Sequence, residues 1–192
     1  MANEGRTEGD IDTMGLRLSS EIEHELAKMK NIPPITFIGH SMGGLMIRSA
    51  LPRLEKFSKY FNSFITLSTP HIGFAYSSSK LVDAGLWVIN SWKKCQSILQ
   101  LTMNDQTELQ ECFLYKLSQV KGLEWFKKVV FIGSHQDMYV PYYSARIQKP
   151  QECLTDCKNK IVKGIVHNEM INNILNQIRG KIYRTDVNFS IP

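Results

Sequence analysis

Ser41 is the residue whose neighbours could make it a nucleophile. It lies in Gly39-His40-Ser41-Met42-Gly43-Gly44, after the apolar run Ile35-Thr36-Phe37-Ile38 and before Leu45-Met46-Ile47-Arg48. The first run has strand character and the second starts a helix, so Ser41 falls on a strand-to-helix turn of the G-x-S-x-G kind. Such a turn strains its own backbone, which calls for small residues at Gly39 and Gly43, where a Cβ is expected to collide with a neighbour, and predicts a positive φ at Ser41. Ser41 Oγ is then lifted clear of the sheet. The backbone N–H of Met42, at the helix start, points to where the oxyanion of a tetrahedral intermediate would form.

A second group of interest is Asp137, four residues after the end of the run Val129-Val130-Phe131-Ile132-Gly133. A carboxylate on a loop of this kind can accept an imidazole N–H and hold the tautomer that takes a proton from serine. The base is harder to place. His167 is the only histidine after Asp137, between the apolar run Ile161 to Val166 and a helical stretch from Asn168 to Ile178. Two readings stay open: His167 is the base, or the base lies beyond Pro192. His40, His71 and His135 read as structural or pocket-lining residues, and His24 as a helix-surface residue.

Three stretches together resemble the lipase-like serine esterases of the α/β-hydrolase superfamily: Gly39 to Gly44, Leu67-Ser68-Thr69-Pro70-His71-Ile72-Gly73, and Asp137-Met138-Tyr139-Val140-Pro141-Tyr142-Tyr143-Ser144-Ala145. Gly85-Leu86-Trp87, Leu99-Gln100-Leu101-Thr102, Cys112-Phe113-Leu114-Tyr115 and Glu169-Met170-Ile171-Asn172-Asn173 are similar, more narrowly, to the C-terminal domain of FAM135-type eukaryotic proteins. The likeness runs over about residues 10 to 180. It implies an α/β fold with a mostly parallel sheet flanked by helices and a helical cap. It also implies a Ser-His-Asp triad with Ser41 as nucleophile, Asp137 as acid and Met42 N–H as an oxyanion donor, acting on acyl or lipid esters without metal or organic cofactor. Two departures accompany it. The fold takes its second oxyanion donor from a His-Gly loop after an early strand, and residues 1 to 34 contain neither. The family's base falls beyond a further strand, for which Lys181 to Phe189 is the candidate.

The elements that must position these groups follow from hydrophobic spacing. Leu18, Ile22, Leu26 and Met29 recur at helical steps, with Asp12 or Thr13 as cap and Asn31-Ile32-Pro33-Pro34 as stop. Ile35 to Ile38, Phe61 to Leu67 and Lys128 to Ile132 are expected as adjacent parallel strands with helices on both faces and Ser41 at the carboxyl edge. Residues 74 to 127 carry two or three amphipathic helices, one over Leu81 to Trp92, that would form the cap. The whole chain reads as one domain with a polar tail at residues 1 to 11. It is expected to be incomplete at both ends, with the early strands missing and an unpaired sheet edge beside the elbow strand.

Composition narrows the partners. At 192 residues and 43% hydrophobic content the chain can bury one sizeable core. A formal charge of +5, with lysines scattered in pairs, favours a solvated surface over nucleic-acid binding and leaves only weak attraction to an anionic membrane. Cys95, Cys112, Cys153 and Cys157 form no C-x-x-C pair, which argues against a zinc site and for reduced thiols in a cytoplasmic protein. There is no apolar signal region at the N-terminus and no run of eighteen apolar residues. Two functions follow from these features: a serine esterase acting on a small acyl ester or lipid, or a non-catalytic hydrolase-like module that binds a lipid or protein. Oligomeric state is not readable.

Overall fold

The computed structural model describes residues 2–5, 9–74, 95–149 and 158–189. Helix α1 (Ile11–Ala27) is capped by Asp10, whose side chain accepts from Thr13 N–H at 2.8 Å. The cap thus lies earlier than Asp12 or Thr13, because Asp12 is turned toward α2 (Met42–Ala50) and accepts from Ser49 Oγ at 2.8 Å. Ile11, Met14 and Leu26 of α1 are buried, and Gly15 permits close contact because a Cβ there would run into the Ser49 side chain.

Four strands form one sheet in chain order: β1 (Ile35–His40), β2 (Phe61–Leu67), β3 (Lys128–Gly133) and β4 (Lys181–Asp186). All three pairings are parallel. The three strands expected from sequence are therefore present and adjacent, and the Lys181 segment is a fourth. Between β1 and β2 run α2 and a 3₁₀ stretch, Leu51–Tyr60, with Pro52 in its first turn, where the missing N–H needs no partner. Short helices α3 (Gln96–Leu101) and α4 (Phe113–Gln119) lie between β2 and β3, and α5 (Tyr142–Arg146) and the long α6 (Lys158–Gln177) between β3 and β4. The expected helix over Leu81 to Trp92, and Cys153 and Cys157, lie outside the described residues. Cys95 and Cys112 are buried, and Cys112 is a free thiol.

Helices on both faces are not what the described residues show. Strands that follow one another in chain order, joined by right-handed crossovers, put every connection on the same face. Burial follows that rule. Phe37, Phe64 and Val129, paired in register, are buried. Their neighbours on the opposite face, Ile38, Ile65, Val130 and Tyr183, form a second registered row that is half-buried or exposed, with Ile38 at 65%. The covered face carries an aromatic cluster in which Phe126 stacks on Phe61 at 5.2 Å and meets Phe37 and Phe64 at 5.7 and 5.6 Å. On the far side of β1 no strand pairs among the described residues.

Candidate active site

His40, Leu67 and Ile132 are register partners, so the carboxyl ends of β1, β2 and β3 stand level. Ser41 follows β1 immediately, with φ 52° and ψ −130°, a conformation that costs a non-glycine residue free energy. Its N–H donates to Leu67 O at 2.9 Å, tying the turn to the end of β2. Gly39 is required by space: a Cβ there would lie 2.6 Å from both Cα and N of Gly44. Gly43 is not. A Cβ at Gly43 meets nothing within 4 Å, whereas one at Gly44 would collide with the side chains of Thr69 and Thr66. The steric constraint expected at Gly43 therefore falls one residue later, since it is Gly44 that faces β2. Met42 opens α2, and its N–H is one of the first-turn donors that have no acceptor within the helix.

Asp137 lies on the loop after β3, at the same sheet edge as Ser41, and β3 is separated from β1 by one strand, an interstrand spacing of about 10 Å. Its Oδ1 accepts from the N–H groups of Tyr139 and Val140 at 2.8 and 2.9 Å, so the carboxylate shapes its own loop. His167 does not stand at a helix start. It sits inside α6, 1% exposed, with Nε2 donating to Ile72 O at 3.0 Å. His135 is stacked on Tyr142 at 3.6 Å, and His24 and His40 are exposed. Beyond β4 the chain turns back to the Asp137 loop: Val187 N–H donates to Gly133 O, and Phe189 exchanges hydrogen bonds with the Gln136 side chain.

His71, expected from sequence to be structural or pocket-lining, forms a buried polar pair with Arg48, which no sequence feature had singled out. His71 Nε2 lies 3.0 Å from Thr66 Oγ1, and Arg48 donates to His71 O at 3.2 Å and to Leu117 O at 3.0 Å. Burial pulls the Arg48 guanidinium down to about 9, so it stays charged at neutral pH. Burial first, and Arg48 second, hold the His71 imidazole well below its ordinary 6.5. In the unfolded chain His71 takes up a proton near pH 6.5 while the folded imidazole stays neutral, so the unfolded state binds more protons below that pH. Stability should accordingly fall as pH drops below 6.5, by up to about tenfold in the folding constant per pH unit. Denaturant titrations between pH 7.5 and 5 would measure this, and His71→Gln should flatten the dependence.

The buried thiol of Cys112 is not poised to act as a nucleophile. Burial first, then Asp105, pushes the Cys112 thiol up to about 11. Among the described residues no group of three His, Cys, Asp or Glu side chains could hold a metal, and no helix is long and apolar enough to cross a membrane.

Residues 1–155 match the family model "Putative serine esterase (DUF676)". The chain belongs to that family. Over 159 residues it is 29% identical to "Putative lipase YDL109C" of Saccharomyces cerevisiae, covering 77% of this chain and 24% of that protein. It is 28% identical over 152 residues to "Putative lipase ROG1" of the same yeast, covering 74% and 22%. "Phospholipase A(1) LCAT3" of Arabidopsis thaliana is 29% identical over 125 residues, covering 64% and 27%. The chain thus spans about a quarter of the length of the curated relatives it matches. Among solved structures, the "putative cell surface hydrolase from Lactobacillus plantarum WCFS1" aligns with a TM-score of 0.47 at 14% identity, covering 92% of this chain and 52% of that one. Among the described residues the fold is a parallel four-stranded sheet flanked by helices, an α/β architecture.

Proposed function

We propose that this chain carries the central part of a lipase-like serine esterase that hydrolyses acyl esters of lipids, within the FAM135-type branch of its family. Ser41 attacks the ester carbonyl, Met42 N–H stabilises the oxyanion, a histidine takes the serine proton and returns it to the leaving alcohol, and Asp137 orients that histidine. The observation that supports this most is the strained φ of Ser41 on a strand-to-helix turn, with Asp137 at the same edge one strand beyond β2. The family matched, and relatives named as lipases and a phospholipase, favour a lipid ester over other acyl compounds. The free, buried thiol of Cys112 fits a reducing, cytoplasmic setting.

His167 is a poor base, because its Nε2 is engaged by a backbone carbonyl in the interior. We place the base on the segment that continues past Phe189, which is already led alongside the Asp137 loop. That same observation about His167 favours a second reading for the 192 residues alone, a non-catalytic lipid- or protein-binding module.

A fluorophosphonate probe separates the two. The 192-residue chain should label feebly, and a version lengthened at both ends should label at Ser41. Asp137→Asn should cut that labelling severely, by about 10⁴-fold if the effect matches triad acids elsewhere. Asparagine keeps an oxygen to accept from Tyr139 and Val140, so the loop survives and the loss reports the charge. His167→Ala should leave the rate unchanged. Strong labelling of the short chain that vanishes with His167→Ala would reverse our placement of the base, and a folded, unlabelled longer version would favour the binding module.

A further inference from the structure

The first turns of α2 rest on the segment after β2 at two points. At Gly44 the backbone approaches Thr66 and Thr69 so closely that no Cβ fits. Arg48 lies one turn further along the same helix face, four residues on, and its buried guanidinium is fixed to His71 O and Leu117 O. Arg48 Nη1 also lies 3.5 Å from His71 Nδ1, which makes Nδ1 the acceptor and leaves Nε2–H to donate to Thr66 Oγ1. The contacts close a ring: helix, loop, strand end, helix. Two fixed points one turn apart set both the height and the direction of a helix axis.

The loop is itself held from two more sides. Ile72 N–H donates to Ser144 Oγ of α5 at 3.2 Å, and Ile72 O accepts from His167 of α6. Arg48, Thr66, His71, Ser144 and His167 are each at most 4% exposed. Beside them Ser68 has φ 46°, the same left-handed region as Ser41 one strand away. Strained backbone persists only where its surroundings over-determine it. No carboxylate among the described residues pairs with Arg48. A buried charge without a counter-ion is a costly way to fill space, and an apolar side chain would pack there more cheaply. What the guanidinium supplies instead is direction, through two carbonyls at defined angles.

We propose that Arg48 is a positioning residue for the serine chemistry: through the carbonyl and ring of His71 it aims the first turn of α2, and with it Met42 N–H, at the oxyanion. The assignment rests on the serine-esterase reading, and Arg48 touches no substrate. Its effect belongs in the rate of reaction at Ser41 rather than in probe affinity.

The test uses wild type, Arg48→Met and Arg48→Lys, well below their melting temperatures. Hydrogen exchange of the peptide Ser41 to Ile47 should quicken at least about tenfold in Arg48→Met, while the α6 peptide Met170 to Leu175 stays as in wild type. In whichever form, 192-residue or longer, labels measurably at Ser41, the inactivation rate constant should fall about 10- to 100-fold with the probe's binding constant unchanged. Lysine, which keeps the charge and one donor, should recover part of the loss. If Arg48→Met fails to fold, Thr66→Val removes the His71 ring partner at equal volume and should act in the same direction. Wild-type exchange in the Ser41 to Ile47 peptide, or a wild-type rate constant, in a folded variant overturns the proposal. If no form labels, the esterase reading falls, and quickened exchange still sustains the claim that Arg48 holds this turn.

Discussion

Ser41→Ala should abolish fluorophosphonate labelling of any form of the protein that labels, at no cost in stability. Alanine keeps the Cβ and therefore keeps the strained φ of 52°, so the variant removes the Oγ and nothing else from the turn. Ser41→Gly makes the complementary change. Glycine tolerates positive φ, so relief of strain should raise the melting temperature by about 2–4 °C, for about 1 kcal/mol, while labelling is lost equally. The pair distinguishes a serine held under strain for chemistry from one that merely occupies a turn. Residual labelling in Ser41→Ala would place the reactive hydroxyl elsewhere, and an unchanged melting temperature in Ser41→Gly would deny the strain.

A large loss of stability is expected at Gly39. A Cβ at this position meets backbone, the Cα and N of Gly44 at 2.6 Å, and no rotamer change can move backbone aside. Gly39→Ala must push α2 away from β1, opening the packing around Leu45 and Ile47. Overpacking against backbone should cost about 3 kcal/mol or more, or about 6–12 °C in melting temperature. Gly43→Ala is the control. Its Cβ enters open space inside a helix, so it should be neutral or stabilising by up to about 1 kcal/mol. Thermal unfolding of the two variants side by side decides the matter, and equal losses would refute the steric account.

The strands and the turn were legible because each rests on local pattern: runs of apolar, β-rich residues closed by Gly39 or Gly133, and a serine between glycines before a helix. Which glycine is crowded was not, since Thr66 and Thr69 reach Gly44 from the next strand and its loop. The position of His167 misled for a similar reason. The run Ile161 to Val166 reads locally as a separate apolar segment, yet it continues without a break into one helix, Lys158–Gln177. Helix placement on one face depends on strand order, which periodicity within a segment does not encode. Arg48 was hidden by type, because a charged residue in a helix pattern suggests solvent, and only tertiary contact reveals the carbonyls that receive it.

Strand order equal to chain order also bears on how the molecule assembles. Each new strand adds to the edge left by its predecessor, so no strand has to be inserted between two that are already paired. Pairing each strand with its neighbour in sequence keeps the separation between partners shorter than a shuffled strand order would, which shortens the loops to be closed during folding. During synthesis the turn at Ser41 can form as soon as β2 emerges. The Asp137 loop arrives with β3, and the ion pair of Arg146 with Asp186 fastens β4 last. The Ser41 turn and the Asp137 loop are thus formed in the order in which the chain is made.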